Sequence, residues 1–268
     1  MSARTGKEPP GFSFGRNWQK YLDEMPPEAI ANMAAYVADW LPPLEGKRVL
    51  DIGAGQGLTS LSAHRAGAQV LSFDVDPSSV AATARLWQAA GQPSSWSVIR
   101  GSVLDEGFTE RLGTFDVVVS WGVLHHTGHL WEALDAAARL VGPDGLLWIA
   151  LYHRTARSGL SLRIKQSYSH LPSAGQRAFR IAYGGAKIAK QLATRRSLDR
   201  LRTYHLERGM TWRRDVEDWL GGLPYEVSSP GEVLARLRPH GFVLERLQDA
   251  VVEGINDVYL FGRAVPHD

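Results

Sequence analysis

The chain has no cysteine. That absence excludes a disulfide, a cysteine-ligated zinc site and a thiol nucleophile. No apolar run approaches the ~20 residues that a membrane-spanning helix needs. The first residues are polar and rich in proline and glycine, unlike a secretory leader, so the expected location is cytoplasmic. No internal repeat is present. Acids are nearly missing from one stretch. Between Arg154 and Arg214, 15 lysines and arginines face only Asp199 and Glu207, a net charge of +13. The rest of the chain carries 15 basic against 26 acidic residues, a net charge of −11. A split of that kind marks an interaction surface. The overall composition, 44% apolar and 22% charged over 268 residues, is that of one globular domain with a large insertion or cap.

What is present is organised around Val49-Leu50-Asp51-Ile52-Gly53-Ala54-Gly55-Gln56-Gly57. The apolar run reads as a buried strand, the alternate glycines as a turn, and Leu58 to Ala66 as a helix. Such a turn brings bare backbone N–H groups and the positive end of a helix against a ligand. The spacing is G-x-G-x-G, not the G-x-G-x-x-G of nicotinamide dinucleotide sites, which disfavours an oxidoreductase. A second strand, Gln69 to Val75, ends in Asp74, where an acid would accept hydrogen bonds from both hydroxyls of a ribose. Asp76 competes with Asp74 for that role.

Strands and helices then alternate. The strands are Arg48–Ile52, Gln69–Val75, Trp96–Arg100, Phe115–Ser120 and Leu146–Tyr152. The helices are Leu58–Ala66, Pro77–Ala90 and Leu130–Val141. Short links and continuous apolar strands such as Val117-Val118-Val119 predict a parallel, doubly wound α/β sheet. Ligands bind such sheets at the C-terminal strand ends, where every motif here falls. Ahead of the core, a helix is expected from Pro27 to Trp40. After His153 the alternation stops. There Phe179, Ala182, Tyr183, Ala186, Ala189 and Ala193 can form one apolar helical stripe. A helix from Ser229 to Leu237 and two strands, Phe242–Gln248 and Asp257–Arg263, close the chain.

Asp51 to Gly57, Asp74 and Ser120-Trp121-Gly122-Val123-Leu124-His125-His126 resemble class I S-adenosylmethionine-dependent methyltransferases. The branch most similar is that of ubiquinone- and menaquinone-type methyltransferases. The resemblance covers about residues 45 to 153 well and the C-terminal strands more loosely. It implies a Rossmann-like seven-stranded sheet with an inserted helical cap. The implied divisions are 1–44 as an N-terminal lid and helix, 45–153 as the cofactor core, 154–228 as a basic cap, and 229–268 as the helix and hairpin that complete the sheet.

The resemblance also implies roles. Gly53, Ala54, Gly55 and Gly57 would shape the turn against the methionine half of S-adenosylmethionine, with Asp51 reaching its amino group directly or through water. Asp74 would hold the ribose and Val75 would lie beside adenine. Ser102 and Val103 follow the third strand, where relatives often carry an acid. Here Ser102 stands in that place and Asp105 lies three residues on. Trp121 and Gly122 would lie beside the sulfonium. Methyl transfer is an in-line displacement from a good leaving group, so the protein mainly aligns the reactants and removes the acceptor's proton. Histidine suits the proton transfer, and His125, His126 and His153 are the candidates; packing or capping of the next helix is the alternative for the first two. His125, His126 and His129 lack a nearby acid to complete a metal set, so no metal is expected. Arg16, Trp18, Tyr21, Trp212, Arg213, Trp219 and Tyr225 are candidates for the acceptor pocket, as part of a lid or cap, with plain packing as the alternative.

The expected activity is methyl transfer to oxygen or nitrogen of a small, anionic metabolite. The alternatives are an RNA or tRNA substrate drawn by the basic segment, and a lipid-linked or quinone acceptor at an anionic membrane surface. There is no separate RNA-binding module and no Asn-Pro-Pro-aromatic signature of amino-directed nucleic-acid methyltransferases.

Overall fold

A computed structural model of the chain describes residues 22, 25, 28–193, 212–250 and 256–263. Its elements, in order, are α1 (Glu28–Trp40), β1 (Arg48–Ile52), α2 (Leu58–Arg65), β2 (Gln69–Asp74), α3 (Pro77–Ala89), β3 (Trp96–Arg100), α4 (Glu106–Glu110), β4 (Phe115–Trp121), a 3₁₀ turn (Leu124–His126), α5 (Leu130–Arg139), β5 (Val141–Tyr152), α6 (Ser158–Ser169), α7 (Ser173–Ala193), α8 (Trp212–Gly221), α9 (Pro230–Leu237), β6 (Phe242–Gln248) and β7 (Asn256–Arg263).

The seven strands form one sheet in the order β3-β2-β1-β4-β5-β7-β6. β1 to β5 are parallel, and β7 runs antiparallel between β5 and β6. The order reverses beside β1, the point at which such sheets bind ligands. The expected Rossmann-like class I methyltransferase sheet is therefore the observed one.

The strands alternate between two buried faces. Leu50, Ile52, Val118, Leu147, Ile149, Tyr259 and Phe261 pack under α5 and α9. Val49, Val117, Val119, Trp148, Ala150, Val258 and Leu260 pack under α1, α2 and α3. Both faces are covered, so the strands read as unbroken apolar runs. Helix starts follow local chemistry. Asp76 caps α3 by accepting the Ser78 N–H at 2.8 Å, with Pro77 in the first turn. Ser229 and Glu232 form a capping box on α9, again followed by a proline.

Among the described residues, the segment between β5 and α9 is mostly helical. Tyr168, Val216 and Leu220 are buried together, with Ile164, Phe179, Tyr183 and Trp219 packed around them. Only part of the expected α7 stripe faces that cluster: Phe179 and Tyr183 pack, whereas Ala182, Ala186 and Ala189 are exposed. Helix α6 turns the actual reason for its burial inward: Ser158, Ser161, Lys165 and Tyr168 recur on one face. The segment returns to the core through residues 224–228. The Glu226 N–H donates to the His125 carbonyl at 3.0 Å and the Ser228 N–H to the Tyr152 carbonyl at 3.0 Å. Arg154 pairs with Glu232 at 3.0 Å.

Candidate active site

The glycine turn after β1 is built tightly. Gly53, Gly55 and Gly57 have φ of 71°, 57° and 83°, a region side chains disfavour. A Cβ on Gly53 would lie 2.4 Å from Val123 Cγ1, and one on Gly57 would lie 2.9 Å from Thr83 Cγ2. The turn therefore lies flat against the loop after β4 and against α3. One expectation changes here. Gly53 and Ala54 donate to the Phe73 carbonyl, Gly57 to that of Ala54, and Gly55 to Asp74 Oδ2 at 3.1 Å. These N–H groups are consumed inside the turn, so what faces a ligand is its bare surface and the first turn of α2. Gly57, the N-cap of α2, supplies no side-chain cap, which leaves the positive helix end open.

Asp74 and Asp76 divide their work. The Asp76 carboxylate is the α3 cap. The Asp74 carboxylate accepts from the N–H of Gly55 and, at 2.9 Å, of Asp76. It thus ties the tip of β2 to the glycine turn. Burial pushes its pKa up, against those two donors. Asp51 is 3% exposed and faces inward. Its Oδ2 accepts from Ser60 Oγ at 2.5 Å, Ser60 meets Ser72 Oγ at 2.6 Å, and Trp96 Nε1 donates to Ser72 at 2.8 Å. Burial raises the Asp51 pKa to about 6. Val75 is exposed beside this pair of strand ends, and Val103 is buried in the core below them. Ser102 Oγ accepts from the Leu104 N–H at 3.2 Å, and Asp105 caps α4, so neither carboxylate nor hydroxyl there is idle.

Past β4, Trp121 packs edge-on against Tyr36 of α1 and Trp148 of β5, at 5.1 and 5.2 Å between ring centroids. A Cβ on Gly122 would approach Asn256 Nδ2 at 3.5 Å. The residues suit a nucleoside with a charged methionine tail on an independent ground. Gln56 Oε1 and Asn256 Oδ1 are buried oxygens with no hydrogen-bond partner among the described residues. Buried acceptors ordinarily have a donor, and ribose hydroxyls or an ammonium would provide one. A groove at the opposite strand ends, lined by Arg48, Gln69, Ser95, Leu112 and Phe115 among others, carries none of the motif residues.

The three candidate histidines differ. His125 is 1% exposed, and its Nδ1 accepts the Tyr152 backbone N–H at 3.2 Å. Burial, with help from His126 and Lys165, holds its pKa well below the ordinary range. His126 Nδ1 lies 2.7 Å from the Pro224 carbonyl, so it donates, and burial lowers its pKa to about 4. His153 Nδ1 faces both oxygens of Asp257, at 3.0 and 2.9 Å.

Of the expected acceptor residues, Trp219 and Tyr225 are brought together. They flank Lys165 Nζ at 4.7 and 4.9 Å from their ring centroids, with Tyr152 at 6.0 Å. Lys165 is fully buried and donates to the Trp219 carbonyl. Tyr152 in turn lies against His125 and Tyr225, at 3.9 and 5.4 Å. Arg16, Trp18 and Tyr21, and the side chains of Trp212 and Arg213, lie outside the described residues. Lys165 and Asp257 escape a sequence reading. The signal for Lys165 is its place in the Ser158-Ser161-Lys165-Tyr168 row; for Asp257 it is an acid opening an otherwise apolar strand.

Comparison with known proteins agrees with the fold. A family described as a methyltransferase domain matches residues 19–219. The chain is 34% identical over 116 residues to the ubiquinone biosynthesis O-methyltransferase of Rhizobium rhizogenes, which covers 43% of this chain and 45% of that protein. It is 39% identical over 113 residues to the protein of the same name from Xanthomonas oryzae, covering 42% and 46%. It thus spans about half the length of the curated relatives it matches. Among solved structures, magnesium protoporphyrin IX methyltransferase of Synechocystis with bound SAH superposes with a TM-score of 0.54 at 14% identity, over 96% of this chain and 90% of that one. A SAM-dependent methyltransferase from Aquifex aeolicus gives 0.53 at 14%, over 92% and 98%. These likenesses show the fold; the family is shown by the match from residue 19 to 219, which runs through most of the chain. The chain belongs to that methyltransferase domain family.

Proposed function

We propose that this chain moves the methyl group of S-adenosylmethionine to an oxygen or nitrogen of a small anionic metabolite. The observation that carries this reading is the placement of a buried lysine and a group of aromatic rings at the tip of β5. Lys165, Trp219, Tyr225 and Tyr152 would form the acceptor wall, and a cation in a low-dielectric setting favours a carboxylate or phosphate. The strongly basic 154–214 stretch supports the same sign of partner. Residues 154–228 would act as the cap, 45–153 with 229–268 as the cofactor core, and 1–44 as the lid and its helix. The turn residues, Asp74, Val75, Trp121 and Gly122 would hold the cofactor, with Ser102 and Val103 on the adenine side and Asp51 acting from beneath.

Calorimetry tests the cofactor half. S-adenosylmethionine should bind the parent and bind Asp74→Ala at least tenfold more weakly, the scale of a lost hydrogen bond to a charged group. Equal binding would sink the assignment. Methyl-tritiated cofactor offered with a panel of hydroxybenzoates and phosphorylated sugars tests the acceptor half. Label should enter anionic acceptors and spare their neutral esters.

A second reading has its own support. Leu160 and Ile181, on α6 and α7 of the basic cap, are 59% and 67% exposed, and the curated relatives are named for ubiquinone biosynthesis. A quinone-like acceptor met at an anionic membrane surface fits both. Among the described residues no helix is long and apolar enough to cross a membrane, so contact would be peripheral. Co-sedimentation with anionic but not neutral vesicles would favour this reading.

A further inference from the structure

Beyond the cofactor cleft, the tips of β5 and β7 hold a second set of titratable groups: His153, Asp249, Asp257 and Tyr259. Asp257 is fully buried and paired across the sheet with Leu151. Its carboxylate is fixed on three sides. Oδ1 accepts the Ala250 N–H at 2.7 Å, Oδ2 accepts the Tyr259 O–H at 3.0 Å, and His153 Nδ1 spans both oxygens. Asp249 Oδ1 lies 3.5 Å from the same nitrogen and is half exposed. Glu232 of α9 adds negative charge near Tyr259. His153 itself sits on the last turn of chain before Arg154, bridged to Ser228, with its side chain 19% exposed.

A carboxylate accepts and does not donate. With Asp257 against it, Nδ1 must carry the proton, which leaves the lone pair on Nε2. His125 uses its Nδ1 lone pair on the Tyr152 N–H, so in the neutral ring its proton sits on Nε2 and no lone pair is left. His126 keeps an Nε2 lone pair, but burial makes it a weak base.

We propose that Asp257 is a positioning residue that fixes the tautomer of His153, whose Nε2 takes the proton of the methyl acceptor. This rests on the methyl-transfer reading above. The acceptor's oxygen or nitrogen forms the new bond to the methyl carbon as the carbon–sulfur pair leaves with sulfur. The O–H or N–H proton moves to Nε2, and the imidazolium is held by Asp257 until the proton passes to water. Asp257 acts as the acceptor throughout, with the Ala250 N–H, the Tyr259 O–H and the His153 Nδ1–H directed at its oxygens.

The test does not need the natural acceptor. The full chain labelled with ¹⁵N-histidine is examined by long-range proton–nitrogen spectra above the ordinary histidine titration range, about pH 6.5. The His153 signals are those lost in His153→Gln. The expected result is the Nδ1–H tautomer in the parent and in Tyr259→Phe, which keeps the carboxylate, and the Nε2–H tautomer in Asp257→Asn. If Asp257→Asn fails to fold, the tautomer of the parent decides the matter. With whichever hydroxybenzoate or phosphosugar takes label, kcat should fall roughly 10²-fold in His153→Gln. In Asp257→Asn it should fall at least tenfold and its pH profile should move, while cofactor affinity stays constant. An Nε2–H tautomer in the parent overturns the proposal, as does a tautomer insensitive to Asp257. Stoichiometric zinc or magnesium shifting the His153 nitrogens also overturns it, because His153, Asp249 and Asp257 could then be a metal set. Loss of cofactor binding in calorimetry would instead count against the methyl-transfer reading.

Discussion

Asp51 shows how one side chain near the cofactor turn carries a stability cost. It is buried at the end of a polar chain that runs through Ser60 and Ser72 to Trp96. Its pKa rises from an ordinary 3.8 to about 6 because burial opposes its charge. The folded protein therefore binds more protons than the unfolded chain between those values. Stability must fall as pH rises through that window and then level off above it. The displacement corresponds to about 3 kcal/mol at pH 7. Asp51→Asn keeps an acceptor for Ser60 and removes the charge. It should unfold at a higher temperature than the parent at pH 7, and the difference should vanish near pH 4. A difference that is constant with pH would exclude burial of a titrating carboxyl as its cause. Gly53 makes the complementary case. With φ at 71° and Val123 Cγ1 2.4 Å from its absent Cβ, Gly53→Ala should destabilise the protein by about 1–3 kcal/mol and weaken cofactor binding. Adding Val123→Ala should recover part of the affinity by removing the collision, though not the backbone strain. A Gly53→Ala protein that binds the cofactor like the parent would show that the turn can shift without harm.

At the scale of elements, local chemistry was readable and long-range assembly was not. The apolar runs at Val49–Ile52 and Val117–Val119 announce buried strands because both sheet faces are covered. Asp76-Pro77 and Ser229-Pro230 announce helix starts because cap and proline act within one turn. Even there the reading slips: β5 begins at Val141, not Leu146, since Gly142-Pro143-Asp144-Gly145 looks like a turn yet is carried within the strand. Asp257 and Lys165 went unread for a different reason. Their partners are 104 and 54 residues away, and nothing in local spacing encodes those meetings. Glu226 is a third instance. Helix α5 has no cap of its own, because His129 supplies no side-chain bond. Glu226, 96 residues on, accepts the Leu130 N–H with both oxygens at 3.1 and 3.2 Å. A carboxylate there satisfies an orphan donor and meets the positive helix end. Glu226→Gln should cost about 0.3–1 kcal/mol and Glu226→Ala about 1–2 kcal/mol in chemical denaturation. Because the Glu226 N–H also holds the His125 carbonyl, the alanine variant should broaden the His125 and His126 signals in the same histidine spectra. Full stability in both variants would mean that water caps the helix equally well.

Across the whole molecule, charge and packing fall into two parts. The basic 154–214 stretch and the acidic remainder differ by sign, and the helices after β5 bury a small cluster of their own around Tyr168, Val216 and Leu220. The sheet gathers the glycine turn, Asp74 and Asp257 on strand tips, whereas Lys165, Trp219 and Tyr225 come from the helical segment and its return. Cofactor binding should then stabilise mainly the sheet. A ligand at a hundred times its Kd adds about 2.7 kcal/mol, which for a chain of this size raises the melting temperature by roughly 5–10 °C. S-adenosylhomocysteine should give that rise in the parent and, at the same concentration, at most about half of it in Asp74→Ala, whose affinity is at least tenfold lower. Leu220 is fully buried in the small helical cluster, and Leu220→Ala should cost about 2–5 kcal/mol there. If the two parts divide the work between cofactor and acceptor, Leu220→Ala keeps the shift with S-adenosylhomocysteine while methyl transfer to the anionic probe drops. Should the shift disappear together with the transfer, the helical segment is part of the cofactor site, and the assignment of Lys165 and its aromatic neighbours to the acceptor fails.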